Sequence, residues 1–166
     1  MAKQVKPIPD GYHTVSAHMM VDDSARAIEF YKKAFGAEEV VRMPGPDGKV
    51  VHAEVRVGNS IVMLSDEMPP MPGQPVQPGV YKSPKSAGLT TCSLFLYVED
   101  VDAWFARALK AGCTVRQPVQ DMFWGDRFGR VEDPSGNKWG IATHREDVTP
   151  REMKKRAAAA FSGGGA

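Results

Sequence analysis

Two stretches of this chain follow one plan: residues 15–36, VSAHMMVDDSARAIEFYKKAFG, and residues 92–112, CSLFLYVEDVDAWFARALKAG. Each opens with an alternating apolar run, passes an acidic step (Asp22-Asp23, Glu99-Asp100), and continues as an amphipathic helix closed by a glycine. Ala27, Ile28, Tyr31, Ala34 and Phe35 recur on one helical stripe, as do Val101, Trp104, Phe105, Ala108 and Leu109. Asp23 and Asp100 stand where N-caps belong, and Gly36 and Gly112 where a left-handed C-terminal residue is wanted. Val21 and Val98 are 77 residues apart, and the same offset carries Gly48 onto Gly125 and the turn Gly58-Asn59 onto Ser135-Gly136. A chain repeating at this spacing is expected to fold as two copies of one supersecondary unit.

Short strand-like runs follow each helix: Val40–Met43, Val50–Val57 and Ile61–Ser65 in the first half, Cys113–Gln117, roughly Arg127–Val131, and Lys138–His144 in the second. The order in each half is therefore βαβββ. Module one is expected to span about residues 12–66, and module two about 89–145, within a single domain covering 1–166. Between them the stretch 67–88 carries Pro69, Pro70, Pro72, Pro75, Pro78 and Pro84, read as a linker without central strand or helix, the alternative being a loop that also covers a binding site. Residues 149–166 are read as a helix to about Phe161, opened by the capping box Thr149-Pro150-Arg151-Glu152, and a fraying glycine-rich tail.

Composition excludes several classes. Lys plus Arg number 21 against 20 Asp plus Glu, a net charge of +1, which provides no field to attract nucleic acid or an anionic membrane. No apolar run approaches the ~20 residues of a membrane span, and the N-terminus MAKQVKPIPDGYH has no signal-peptide core. Two cysteines, Cys92 and Cys113, are too few for a disulfide framework or a thiolate metal site; both are expected in the core. The reading is a cytoplasmic protein with no nucleic-acid or membrane partner.

The repeat resembles the vicinal-oxygen-chelate superfamily of glyoxalases, bleomycin-resistance proteins and dioxygenases. The residues that carry the resemblance are the His13–Gly36 opening, Val51-His52-Ala53-Glu54, Tyr97-Val98-Glu99-Asp100-Val101, Phe123-Trp124-Gly125-Asp126-Arg127 and Asp133-Pro134-Ser135-Gly136-Asn137. The His-Ala-Glu and Phe-Trp-Gly-Asp-Arg segments look most like its PhnB-like branch. The resemblance implies an α+β fold of two tandem βαβββ modules, curled mixed sheets around a cleft, with the C-terminal helix added, and a small-molecule ligand bound by a homodimer.

It also implies where a divalent cation would sit in metal-dependent members, on His, Gln or Glu side chains of the first and last strand of each module. Carried over, those positions are Ser16 and Met63, then Ser93 and Gly140. None is a usual ligand, so metal-dependent glyoxalase or dioxygenase chemistry is not expected, and no cofactor is assigned. His18, His52 and Glu54 share one strand parity and make a two-histidine, one-carboxylate set, the alternative home for a metal.

Strand alternation sorts the rest. Val15, Ala17, Met19 and Val21 should pack under the first helix, leaving Ser16, His18 and Met20 for the cleft. Val51, Ala53, Val55 and Val57 pack, opposite His52, Glu54 and Arg56. Cys92, Leu94, Leu96 and Val98 pack, while Thr91, Ser93, Phe95 and Tyr97 face the cleft. The orientation of Arg127–Glu132 stays open. Trp124 lies in a hairpin, against a ligand or at a dimer contact, and Asp126 and Arg127 are read as a pair that fixes that loop.

The ligand-binding candidates are therefore His18, His52, Glu54, Met63, Phe95, Tyr97 and Trp124, with His52 and Glu54 as candidate acid–base residues. The leading expectation is a small-molecule binder taking a planar or amphipathic compound. The alternative is a lyase or isomerase using a displaced His/Glu metal site or a His/Glu general base. A structural protein with a filled cleft is the third class.

Overall fold

A computed structural model describes residues 6–68 and 81–162. The elements in chain order are β1 (Ala17–Val21), α1 (Ser24–Phe35), β2 (Glu38–Pro44), β3 (Val50–Val57), β4 (Ser60–Asp66), α2 (Pro84–Ala87), β5 (Ser93–Tyr97), α3 (Val101–Ala111), β6 (Thr114–Asp121), β7 (Asp126–Glu132), β8 (Lys138–His144) and α4 (Pro150–Ser162). The two halves form separate four-stranded sheets, ordered β1-β4-β3-β2 and β5-β8-β7-β6. In each, the first strand pairs parallel with the last and the other neighbours pair antiparallel. This is the tandem βαβββ, α+β architecture that the repeat implies.

The chain divides into two compact units, one reaching Thr90 and including Pro134–Asn137, the other holding Thr91–Asp133 and the chain from Lys138 onward. In the first, Asp23 caps α1 by accepting the Arg26 N–H, and Gly36 closes it at φ 63°. Ala27, Ile28, Tyr31, Ala34 and Phe35 are all buried, as their spacing predicts, against Val21, Ala53, Val55 and Leu64 of the sheet. The loop Pro134–Asn137 is tied in by Ser135, whose hydroxyl donates to Asp22 and whose carbonyl accepts the Lys85 N–H. Arg26 and Lys85 also meet Asp22, and although its burial opposes this, these hydrogen bonds hold its carboxyl down at about 2.

In the second unit Asp100 caps α3 through the Ala103 N–H, and Gly112 closes it at φ 119°. Val101, Phe105 and Ala108 are buried, with Trp104 and Leu109 half-buried, beneath Val131, Trp139 and Ile141. The α3 end also receives the Thr143 hydroxyl, which accepts the Val101 N–H and donates to the Val98 carbonyl. Beyond the sheet, α4 starts at the capping box, where Thr149 Oγ1 accepts the Glu152 N–H. Arg156 then clamps Glu146 with two hydrogen bonds.

Several expectations need correction. Pro84 starts a helical turn, α2, because the first helical position needs no N–H donor. The other five prolines of that stretch, and the tail from Gly163, lie outside the described residues. Cys92 is exposed rather than core; Cys113 is half-buried, and desolvation, with Asp133 nearby, pushes its thiol up to about 12. Val15 is 85% exposed, since β1 begins only at Ala17.

Val51 is only half-buried while Val50 packs fully, because the β2–β3 register shifts between Met43 and Pro44. Arg127 does not pair with Asp126, as neighbouring strand residues point to opposite faces. It reaches Asp102 in the first turn of α3 and Asp121 on β6. Among the described residues, no helix is long and apolar enough to cross a membrane.

Candidate functional site

Each sheet is covered by its helix on one face, so the candidates are the side chains on the other. Register identifies matched positions in the two units. In the first, β1 His18 pairs with β4 Met63, which pairs with β3 Glu54. In the second, β5 Phe95 pairs with β8 Gly140, which pairs with β7 Arg130. Two residues before Glu54 lies His52, and two before Arg130 lies Phe128. Two residues after Met63 and Gly140 lie Ser65 and Ala142.

On the first sheet these positions assemble a polar cluster. Glu54 is 7% exposed, its Oε1 2.9 Å from His52 Nε2 and its Oε2 accepting the Tyr12 hydroxyl. Burial alone would raise the Glu54 carboxyl; the hydrogen bonds from Tyr12 and His52 outweigh it and leave the group below the ordinary carboxylate value. The same bond to Glu54 raises the Tyr12 phenol. His18 Nε2 lies 2.7 Å from the buried Ser65 hydroxyl, and its ring meets His52 edge-on at 6.1 Å. Desolvation first, and His52 second, lower the His18 pKa, favouring the neutral imidazole.

On the second sheet the matched positions carry rings. Phe95 and Phe128 stack 5.4 Å apart with their planes 4° from parallel. Tyr97 lies 5.0 Å from Phe95, and Trp124 6.0 Å from Phe128. Contacts run on from Trp124 to Phe123 and from Phe123 to Phe161 of α4. Phe128 is buried, but Phe95 is 47% and Tyr97 66% exposed, so the slab has an open surface.

Asp126 fixes the rim. It is 4% exposed, and its carboxylate accepts the Tyr97 hydroxyl, the Trp124 indole N–H and His144 Nδ1 at 2.8–3.0 Å. The bond to Asp126 raises the Tyr97 phenol, and Asp126 followed by Asp147 raises His144.

The structure thus gathers His18, His52, Glu54 and Met63 on the first sheet, and Phe95, Tyr97 and Trp124 on the second. Sequence reasoning missed Tyr12, Ser65, Asp126 as a hub, Phe128 and Arg130. Phe128 and Arg130 fall in the segment whose alternation was unreadable, because the central helix-facing position of β7 is Gly129. A Cβ there would meet the Phe105 ring at 2.7 Å.

The family's metal does not fit these residues. His18, not Ser16, is the strand neighbour of Met63. At the other carried-over position, a Cβ on Gly140 would meet both Phe95 and Phe128 at 2.8 Å, so rings fill the space a ligand side chain would need. Among the described residues, no group of three or more His, Cys, Asp or Glu side chains is arranged to hold a metal ion.

Comparison with known proteins agrees with this architecture. An uncharacterized protein of Mycobacterium bovis is 44% identical over 154 residues, covering 93% of this chain and 94% of its own. TioX from Micromonospora sp. ML1 superposes with a TM-score of 0.61 at 29% identity, over 78% of this chain and 96% of that one. A PhnB protein from Bacillus cereus shares the fold, with a TM-score of 0.57 at 19% identity over 79% and 99% of the two chains. The family model of the glyoxalase/bleomycin resistance protein/dioxygenase superfamily matches residues 12–141, and the chain belongs to that superfamily.

Proposed function

We propose that this protein binds a planar or amphipathic small molecule on the aromatic face of its second sheet. The observation that carries this reading is the stacked Phe95–Phe128 pair with the exposed sides of Phe95 and Tyr97 continuing it. Flat rings give large contact area for few frozen torsions, and an exposed apolar slab rimmed by polar groups is what a binding surface looks like. Asp126 supports the reading by holding Tyr97 and Trp124 in place before any ligand arrives, which lowers the ordering cost of binding. Calorimetric titration with a neutral planar probe, 2-naphthalenemethanol, is expected to show saturable binding that Phe95→Ala and Tyr97→Ala weaken. Normal binding by both variants would put the site elsewhere.

A different observation favours a second reading, acid–base catalysis on the first sheet. Glu54 orients His52 through its Nε2, leaving Nδ1 as the candidate base, next to a neutral His18. A lyase or isomerase acting on an oxygen-bearing carbon acid is then expected, with turnover abolished in His52→Ala.

A further inference from the structure

Among the described residues, the aromatic face of the second sheet carries Lys138 and His144 toward its two ends and Arg130 beside the rings. Arg130 leaves β7 on the same face as Phe128, and its guanidinium carbon is 5.5 Å from the Phe128 ring centroid. Its strand partner is Gly140, whose partner on the other side is Phe95. Arg130 is therefore separated from the exposed phenyl ring only by a residue with no side chain, and it is itself exposed.

The neighbouring arginines are occupied: Arg116 by Glu132, and Arg127 by Asp102 and Asp121. Among the described residues, no carboxylate lies within ion-pair distance of Arg130. The two acids that share its face, Glu132 and Asp126, are both already engaged. Arg116 holds both oxygens of Glu132; Tyr97, Trp124 and His144 hold Asp126.

We propose that this face takes a planar aromatic carboxylate, its ring against Phe95 and Tyr97 and its carboxylate on the Arg130 guanidinium. The proposal rests on the planar-ligand reading above and names the ligand class. A forked guanidinium matches a carboxylate with two parallel hydrogen bonds, and a cation already lying against a phenyl ring has part of its hydration removed. The repeat supplies an internal contrast, since the matched position on the first sheet is Glu54, which would repel the same ligand. Anion preference is thus a property of this face, not of the βαβββ unit.

The test is calorimetric titration of the intact chain with three probes of one ring system: 2-naphthoate, 2-naphthalenemethanol and 2-naphthylmethylammonium. The wild-type chain should bind the carboxylate about tenfold more tightly than the alcohol, and the ammonium least. Arg130→Gln should bring carboxylate and alcohol to equal affinity while leaving the alcohol unchanged, and Arg130→Glu should favour the ammonium. Equal binding of carboxylate and alcohol by the wild type, or a carboxylate preference that survives Arg130→Gln, overturns the anion site and leaves the planar reading standing. Binding of none of the three overturns both.

Discussion

At matched strand positions the first sheet presents His18, His52, Glu54, Met63 and Ser65, while the second presents Phe95, Phe128, Arg130, Gly140 and Ala142. Two imidazoles meeting edge-on at 6.1 Å in one become two phenyls stacked at 5.4 Å in the other. A buried carboxylate becomes an exposed guanidinium, and a thioether gives way to bare backbone. The helix-covered faces share one design, a stripe of apolar residues under a capped amphipathic helix, although α1 buries more of its stripe than α3 does. Packing is what the duplicated fold keeps; chemistry is what it varies, because only the helix-free face is released from filling a core.

The sharpest way to break the comparison is to remove the more enclosed member of each ring pair, Phe128 and His52. Phe128 is 3% exposed, so Phe128→Ala leaves a cavity beneath Phe95 and should cost about 3–5 kcal/mol in chemical denaturation. His52 is more accessible and held by one hydrogen bond, so His52→Ala should cost only about 1 kcal/mol. Equal losses would mean that the two faces are built alike after all.

A smaller effect is expected at Gly140. Any Cβ there drives apart Phe95 and Phe128, so Gly140→Ala should lower stability by about 1–3 kcal/mol and weaken 2-naphthalenemethanol binding. An unchanged melting temperature with unchanged binding would show that the ring stack does not depend on the missing side chain.

These cases mark what the sequence could reveal. The helix stripes, the capping aspartates and the closing glycines were legible because a 3.6-residue period and a cap leave local signatures. His18, His52, Glu54, Phe95 and Tyr97 were legible because their strands alternate cleanly. Phe128 and Arg130 were not, since Gly129 erases the apolar beat at the one position that contacts α3. The 77-residue offset also fails locally: Glu54 and Arg130 share a register position but are one residue closer than that. The connection from β7 to β8, longer than that from β3 to β4, shifts the pairing of the last two strands. Tyr12 was invisible for another reason, as it reaches Glu54 from 42 residues away with no periodic pattern around it.

The histidines sharpen the contrast by titrating in opposite senses. His18 is lowered by burial and His52, so the unfolded chain binds more protons between its folded pKa and 6.5. Its contribution to stability is full above that window and is lost as pH falls through it. His144 is raised by Asp126 and Asp147; its contribution is full below 6.5 and is lost as pH rises through the folded value. Imidazole resonances followed by NMR should place His18 below and His144 above 6.5, and Asp126→Asn should bring His144 down without moving His18. Parallel titration of the two rings would remove the electrostatic distinction between the faces.

The mildest test is Tyr12→Phe, which deletes one hydroxyl from the polar cluster of the first sheet. Losing this part-buried hydrogen bond should cost about 0.5–1.5 kcal/mol. The Glu54 carboxyl, which Tyr12 and His52 hold below its ordinary value against the cost of burial, should rise when one of those donors goes. Because a carboxyl depressed in the fold stabilises only while ionised, the variant's deficit should be largest near neutral pH and shrink as acid protonates Glu54. Denaturation of wild type and Tyr12→Phe at pH 7 and pH 4 measures this directly. A deficit that does not change with pH would mean that the phenol acts through packing, and that His52 alone keeps Glu54 charged.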